Sequence, residues 1–123
     1  MIFSDQMYTV IPGSARRVLA LEHARRRLKP GGRIVVTYYA TETAERQRGV
    51  GLARLASVIM RSDWRLEQHD VVEAHGPKGK VLHYHHLFTR DEFETEVRAA
   101  GLRIAYHREP ADPPTAVLGV SPA

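Results

Sequence analysis

The sequence predicts an α/β domain: a partial doubly wound sheet closed by a C-terminal antiparallel hairpin. Three stretches predict it. Leu28-Lys29-Pro30-Gly31-Gly32-Arg33-Ile34-Val35-Val36-Thr37 reads as a helix end, a stop and a buried strand. Phe88-Thr89-Arg90-Asp91-Glu92-Phe93 reads as a helix start. Leu102, Ile104 and Tyr106 alternate with polar or small residues as in a strand, and Thr115 to Val120 supply an antiparallel return. A helix feeding a strand that is apolar on both faces is half of a parallel α/β unit.

Taken in order, Ile2 and Phe3 read as the last residues of a strand. A polar loop from Ser4 to Gly13 follows, and Ser14 is the expected N-cap of a helix over 15–28. Val18, Leu21, Ala24 and Leu28 form its apolar stripe, with Leu19 beside it. Proline cannot continue that helix, and glycine takes the left-handed conformation that the turn needs. The next strand is expected over 33–39. Residues 41–62 predict a partial helix from Leu52, Leu55, Ala56, Ile59 and Met60, weakened at the front by Gly49 and Gly51. The pattern over 63–80 is poor, with a turn at Gly76-Pro77-Lys78-Gly79. Residues 81–87 read as a short strand or an extended segment. Thr89 and Glu92 form a capping box, and Phe88 and Phe93 sit where a hydrophobic staple joins them. That helix runs to Ala100 and stops at Gly101. Pro110, Pro113 and Pro114 then make the loop before the last strand.

The chain of 123 residues is sized for one domain, and no repeat or linker divides it. No apolar run is long enough to span a membrane, and no basic-then-apolar start predicts a signal peptide. Cysteine is absent, which excludes disulfides and thiolate chemistry and fits a cytoplasmic location. The net charge of +4 and the 18 Lys and Arg residues raise nucleic acid as a partner. Arg16, Arg17, Arg25, Arg26 and Arg27, however, lie in one helix, interleaved with its apolar face. They read as a solvated basic face, so nucleic acid is not favoured. The excess of arginine over lysine reads as the mark of a GC-rich genome.

Further elements fall in a recognisable order: Tyr8-Thr9-Val10-Ile11-Pro12-Gly13, the basic helix, the Lys29-Pro30-Gly31-Gly32 turn into its strand, Leu87 to Phe93, and Ala99-Ala100-Gly101-Leu102-Arg103-Ile104. Together they resemble the C-terminal half of a class I S-adenosylmethionine-dependent methyltransferase, over residues 2–120. The resemblance implies a Rossmann-like sheet, S-adenosyl-L-methionine as cofactor and methyl transfer to a small-molecule acceptor. It implies cofactor contacts just after the fourth family strand, at Ser4, Asp5, Met7 and Tyr8. Tyr38 and Tyr39 close the next strand at its ligand-facing end, where they either bound a substrate pocket or, as aromatics closing a strand more often do, pack. The family holds its cofactor with a glycine-rich loop after the first strand and an acidic residue after the second. Neither has a counterpart here; Gly49-Val50-Gly51 lacks the strand–turn–helix context. The expectation is therefore half an enzyme: a truncated product, a misassigned start, a fragment, or one part of a split protein.

Histidine is the natural base for an oxygen or nitrogen acceptor. Of seven histidines, His69, His75, His83, His85 and His86 fall in the variable segment, and His85 is the substrate-side candidate. His83 and His85 share one strand face, but no Cys, Asp or Glu completes a recognised zinc spacing, so no metal site is expected. Trp64 reads as an amphipathic anchor. Two rivals stand beside the methyltransferase: a non-catalytic partner subunit pairing through an open sheet edge, and a small basic nucleic-acid-binding protein.

Two parallel strands plus a hairpin leave one edge open and apolar residues uncovered. Isolated residues 1–123 are therefore expected to be marginally stable or to self-associate. Thermal melts over a range of protein concentrations check this. A sharp, concentration-independent melt of a monomer contradicts it.

Overall fold

The computed structural model describes residues 1–3, 7–41, 67, 69–75, 81–109 and 113–122. The elements are β1 (Ile2–Phe3), α1 (Ser14–Arg26), β2 (Ile34–Thr37), β3 (Tyr39–Ala40), β4 (Asp70–His75), β5 (Val81–Phe88), α2 (Arg90–Ala99), β6 (Leu102–Arg108) and β7 (Thr115–Val120). The expected helix over 41–62, the turn at 76–79 and Trp64 lie outside the described residues.

The main sheet has the order β1-β2-β7-β6. β1 and β2 are parallel, and β7 runs antiparallel to both β2 and β6. β6 therefore points the same way as β1 and β2, and the hairpin closes the sheet as expected. The ladder between β6 and β7 shifts register between Ile104 and Tyr106, an irregularity of the kind that bends an edge strand.

The strand expected over 33–39 divides at Tyr38. The Tyr38 N–H donates to the carbonyl of Pro114 at 3.3 Å, and Tyr39 and Ala40 then pair with Leu87 and Phe88 in a second sheet of order β3-β5-β4. β4 arises in the stretch whose pattern was poor, and it pairs antiparallel with β5 from Asp70↔His86 to His75↔Val81.

Local chemistry sets the element ends. Gly31 at φ 76 and Gly101 at φ 73 make the left-handed turns from α1 into β2 and from α2 into β6. The N-cap of α1 is Gly13, not Ser14, so the expected side-chain cap is replaced by backbone geometry. Thr89 caps α2, accepting from the Glu92 N–H at 3.1 Å, and Phe88 meets Phe93 edge-on at 5.9 Å. The capping box and the staple thus form as the sequence predicts.

Both helices pack on one face of the main sheet. Leu21 and Ala24 of α1, Phe93, Val97 and Ala100 after them, and Ile34, Val36, Leu102 and Leu118 of the sheet form one buried cluster. Among the described residues no helix is long and apolar enough to cross a membrane.

Candidate functional site

The core holds a charge. Arg17, on the first turns of α1, is 0% exposed. The solvated basic face expected of that helix therefore loses this member. It occupies the stripe of Leu21 and Ala24, and Glu96 occupies the matching stripe of α2 between Phe93 and Val97. Arg17 Nε donates to both carboxylate oxygens of Glu96 at 3.1 Å, and Nη2 donates to Oε1 at 2.8 Å. The remaining donors reach Glu67 Oε1 at 3.0 Å and the Ile11 carbonyl at 3.2 Å. The guanidinium also lies 5.1 Å from the centre of the Phe88 ring, a cation–π distance. Tyr8 donates its hydroxyl to Glu96 Oε2. Burial opposes the charge on Arg17, but its bonds to Glu96 outweigh that and raise its pKa. Burial, and then Glu96, push the Tyr8 phenol upward as well.

A second ion network lies alongside. His86 of β5 is fully buried, with Nδ1 2.5 Å from Asp70 Oδ1 and Nε2 2.7 Å from Glu92 Oε1. Carboxylates only accept, so both ring nitrogens must donate and the imidazole is protonated. Burial lowers its pKa, but the bonds to Asp70 and Glu92 prevail and lift it to about 9. Burial would raise the Glu92 carboxyl; the His86 bond and the Thr89 backbone hold it below the ordinary range. Asp70 also accepts from the Tyr84 hydroxyl and the Glu67 N–H, each at 2.8 Å. The Tyr84 phenol is raised by burial and by Asp70.

Glu67 joins the two networks, and a pocket of about 400 Å³ opens beside them, lined by Glu67, His69, Thr89 and Glu92. His69 enters β4 at φ 70, a rare conformation for a residue with a side chain. Ligand atoms of Glu67, Asp70 and His86 lie within 4.8 Å of one another. That grouping suits a cation on paper, but both imidazole nitrogens already hold carboxylates and Arg17 already occupies Glu67. The arrangement is suited to fixing two cations among four carboxylates and to presenting acidic oxygens to the pocket.

The residues predicted from sequence are distributed as follows. Ser4 and Asp5 lie outside the described residues. Met7 is 56% exposed, whereas Tyr8 is buried. Tyr38 is buried, stacked on Phe93 at 4.3 Å, with its hydroxyl bonded to His107 Nε2 at 2.6 Å and Glu109 Oε1 at 3.1 Å. Its pKa is raised by burial and then by Glu109. Tyr39 and His85 are half-buried ring neighbours, 5.2 Å apart. The structure thus brings Tyr39 to His85, and Tyr8 to Arg17 and Glu96, but it keeps Tyr38 in the core. Sequence reasoning missed the Arg17–Glu96 pair and the bonds of His86 to Asp70 and Glu92. For Arg17 and Glu96 the available signal was a charge on the apolar stripe of each helix.

No protein-family model and no curated protein matches the chain. Solved structures do. The CcbJ methyltransferase from Streptomyces caelestis superposes with a TM-score of 0.61 at 15% identity, covering 98% of this chain and 55% of that one. An S-adenosylmethionine-dependent methyltransferase from Clostridium acetobutylicum ATCC 824 gives a TM-score of 0.60 at 12% identity, with coverage of 98% and 56%. The chain spans about half the length of these structures. Its mixed α/β fold, with open sheets, resembles the Rossmann-like core of S-adenosylmethionine-dependent methyltransferases.

The His86 ion network makes stability depend on pH with a defined sign. Its folded pKa of about 9 exceeds the unfolded value of about 6.5. Its contribution is therefore complete below about pH 6.5 and lost as pH rises through about 9. The shift is worth at most about 3 kcal/mol, reduced by solvent at the partly exposed Glu92. Urea unfolding from pH 6 to 9.5 is expected to show wild-type stability falling relative to His86→Gln. Parallel pH profiles for the two proteins contradict the assignment.

Proposed function

We propose that this chain provides the C-terminal, acceptor-side half of an S-adenosylmethionine-dependent methyltransferase that acts on a small molecule. The observation that carries this reading is the superposition of 98% of the chain on about half of each of two methyltransferases. The strand order β1-β2-β7-β6 with β7 reversed and the Lys29-Pro30-Gly31-Gly32 turn support it.

S-adenosylmethionine, when bound, supplies an electrophilic methyl group. On this reading Ser4, Asp5 and Met7 line the cofactor side, because ligands of open α/β sheets gather at the strands' C-terminal ends. Tyr8 backs them from the core, buried with its hydroxyl committed to Glu96. Tyr39 and His85 face the acceptor, and Tyr38 supports them from the core. Among the described residues no strand leads through a glycine-rich turn into a helix. The grip on the nucleoside is therefore assigned to a segment other than these. The open side of β1, where Ile2 is 68% exposed, is where that segment would pair, whether it belongs to the same polypeptide or to a partner chain.

Calorimetry tests the proposal. Residues 1–123 alone are expected to bind S-adenosylmethionine no better than weakly. Joined to a strand–glycine-rich loop–helix segment encoded upstream in frame, or mixed with one from a neighbouring gene, they are expected to bind in the micromolar range. Micromolar binding by residues 1–123 alone overturns the division of labour. Absence of any such segment, or failure of the joined protein to bind, overturns the methyltransferase reading.

A further inference from the structure

The topology gathers positive charge at one end of the molecule. α1 ends at Arg26 and α2 at Ala99, where β2 and β6 begin. Because β2 and β6 point the same way, both helix ends and both strand starts lie at the end opposite Tyr39 and Glu109. Arg25, Arg26, Arg27, Lys29, Arg33, Arg98 and Arg103 collect there, and among the described residues their one side-chain ion pair is that of Arg26 with Glu22 at 3.6 Å.

Helix dipoles account for cations at the ends of α1 and α2, but not for those on the strands. Arg103 pairs with Gly119 across the β6–β7 ladder. From the other side, the Arg33 guanidinium lies over the same glycine, 3.3 Å from where a Cβ would stand. Gly119 thus lets two cations share one row across β2, β7 and β6, with no side chain between them. Arg33 Nη1 donates to the carbonyls of Gly31 and Gly32 at 3.3 Å. Among the described residues no carboxylate pairs with Arg27, Lys29, Arg33 or Arg103. All four are exposed.

We propose that this end, centred on Arg33 and Arg103 across Gly119 and flanked by Arg26, Arg27 and Lys29, binds the phosphate backbone of a nucleic acid. Guanidinium forks match phosphate oxygens two at a time. Phosphate contacts position a nucleic acid without reading its bases, so the binding is independent of sequence.

Fluorescence anisotropy of labelled duplex DNA and single-stranded RNA, titrated with residues 1–123 at about 50 to 200 mM salt, tests this. For about four phosphate contacts, log K falls against log salt with a slope of roughly −3 to −4. The variant Arg26→Gln/Arg27→Gln/Lys29→Gln/Arg33→Gln, checked for an unchanged circular dichroism spectrum, is expected to lose on the order of a hundredfold in affinity at low salt. Arg90→Gln/Arg108→Gln, at the opposite end, is expected to retain it. Absence of binding to either nucleic acid at low salt overturns the proposal. So does binding that the four substitutions leave intact, and so does capture by phosphatidylserine vesicles with none by nucleic acid.

Discussion

The structure depends on one buried ion pair, Arg17 with Glu96. Each sits on the apolar stripe of its helix, so each helix carries into the core a charge that it cannot satisfy alone. A lone buried charge costs several kcal/mol, on the order of the stability of a small domain. The two helices must therefore meet face to face in one register, and Tyr8 must be near enough to donate to the same carboxylate. The loop after β1 is thereby fixed to α1 and α2. Through Glu67 the pair also reaches the segment that enters β4. The network specifies which elements adjoin, where apolar packing alone would accept several arrangements.

The second sheet is tied on by the same means. Only the two-residue β3 extends it toward the main sheet, and its contact with the main fold runs through His86, Asp70 and Glu92 as much as through Leu87 and Phe88. The protonated imidazole bridges the β4–β5 hairpin to the first turn of α2. Glu92 thus has two roles, closing the capping box of its own helix and holding the hairpin. The acidic oxygens left over line the pocket beside Thr89. The ions that fix the fold therefore also set the charge of that pocket.

Much of this was legible in the sequence. The Pro30-Gly31-Gly32 stop, the capping box at Thr89, the staple of Phe88 and Phe93, and the closing hairpin each rest on short-range chemistry, and each is found. The methyltransferase-like sheet followed from their order. What failed was of longer range. Arg17 reads as one of its basic neighbours when charge is followed along the chain, although its spacing to Leu21 and Ala24 places it on the buried stripe. Its partner is 79 residues away, and nothing local announces it. β4 was missed because its pattern is mixed and its identity comes from pairing with β5. The strand expected over 33–39 divides because Tyr38 stacks in the core on Phe93 while its N–H turns to Pro114, a choice made by tertiary contacts. Arg33 and Arg103, 70 residues apart in the chain, become neighbours only through β7, whose glycine leaves space for a guanidinium.

Equilibrium urea unfolding of Arg17→Met, Glu96→Leu and the double variant, at one protein concentration, tests the organising role of the pair most directly. Each single substitution strands a buried charge and is predicted to cost about 3–5 kcal/mol. The double variant removes both charges and is predicted to recover most of that loss, giving a large favourable coupling. Single losses within about 0.5 kcal/mol, or a double variant as unstable as the sum of the singles, would contradict the account.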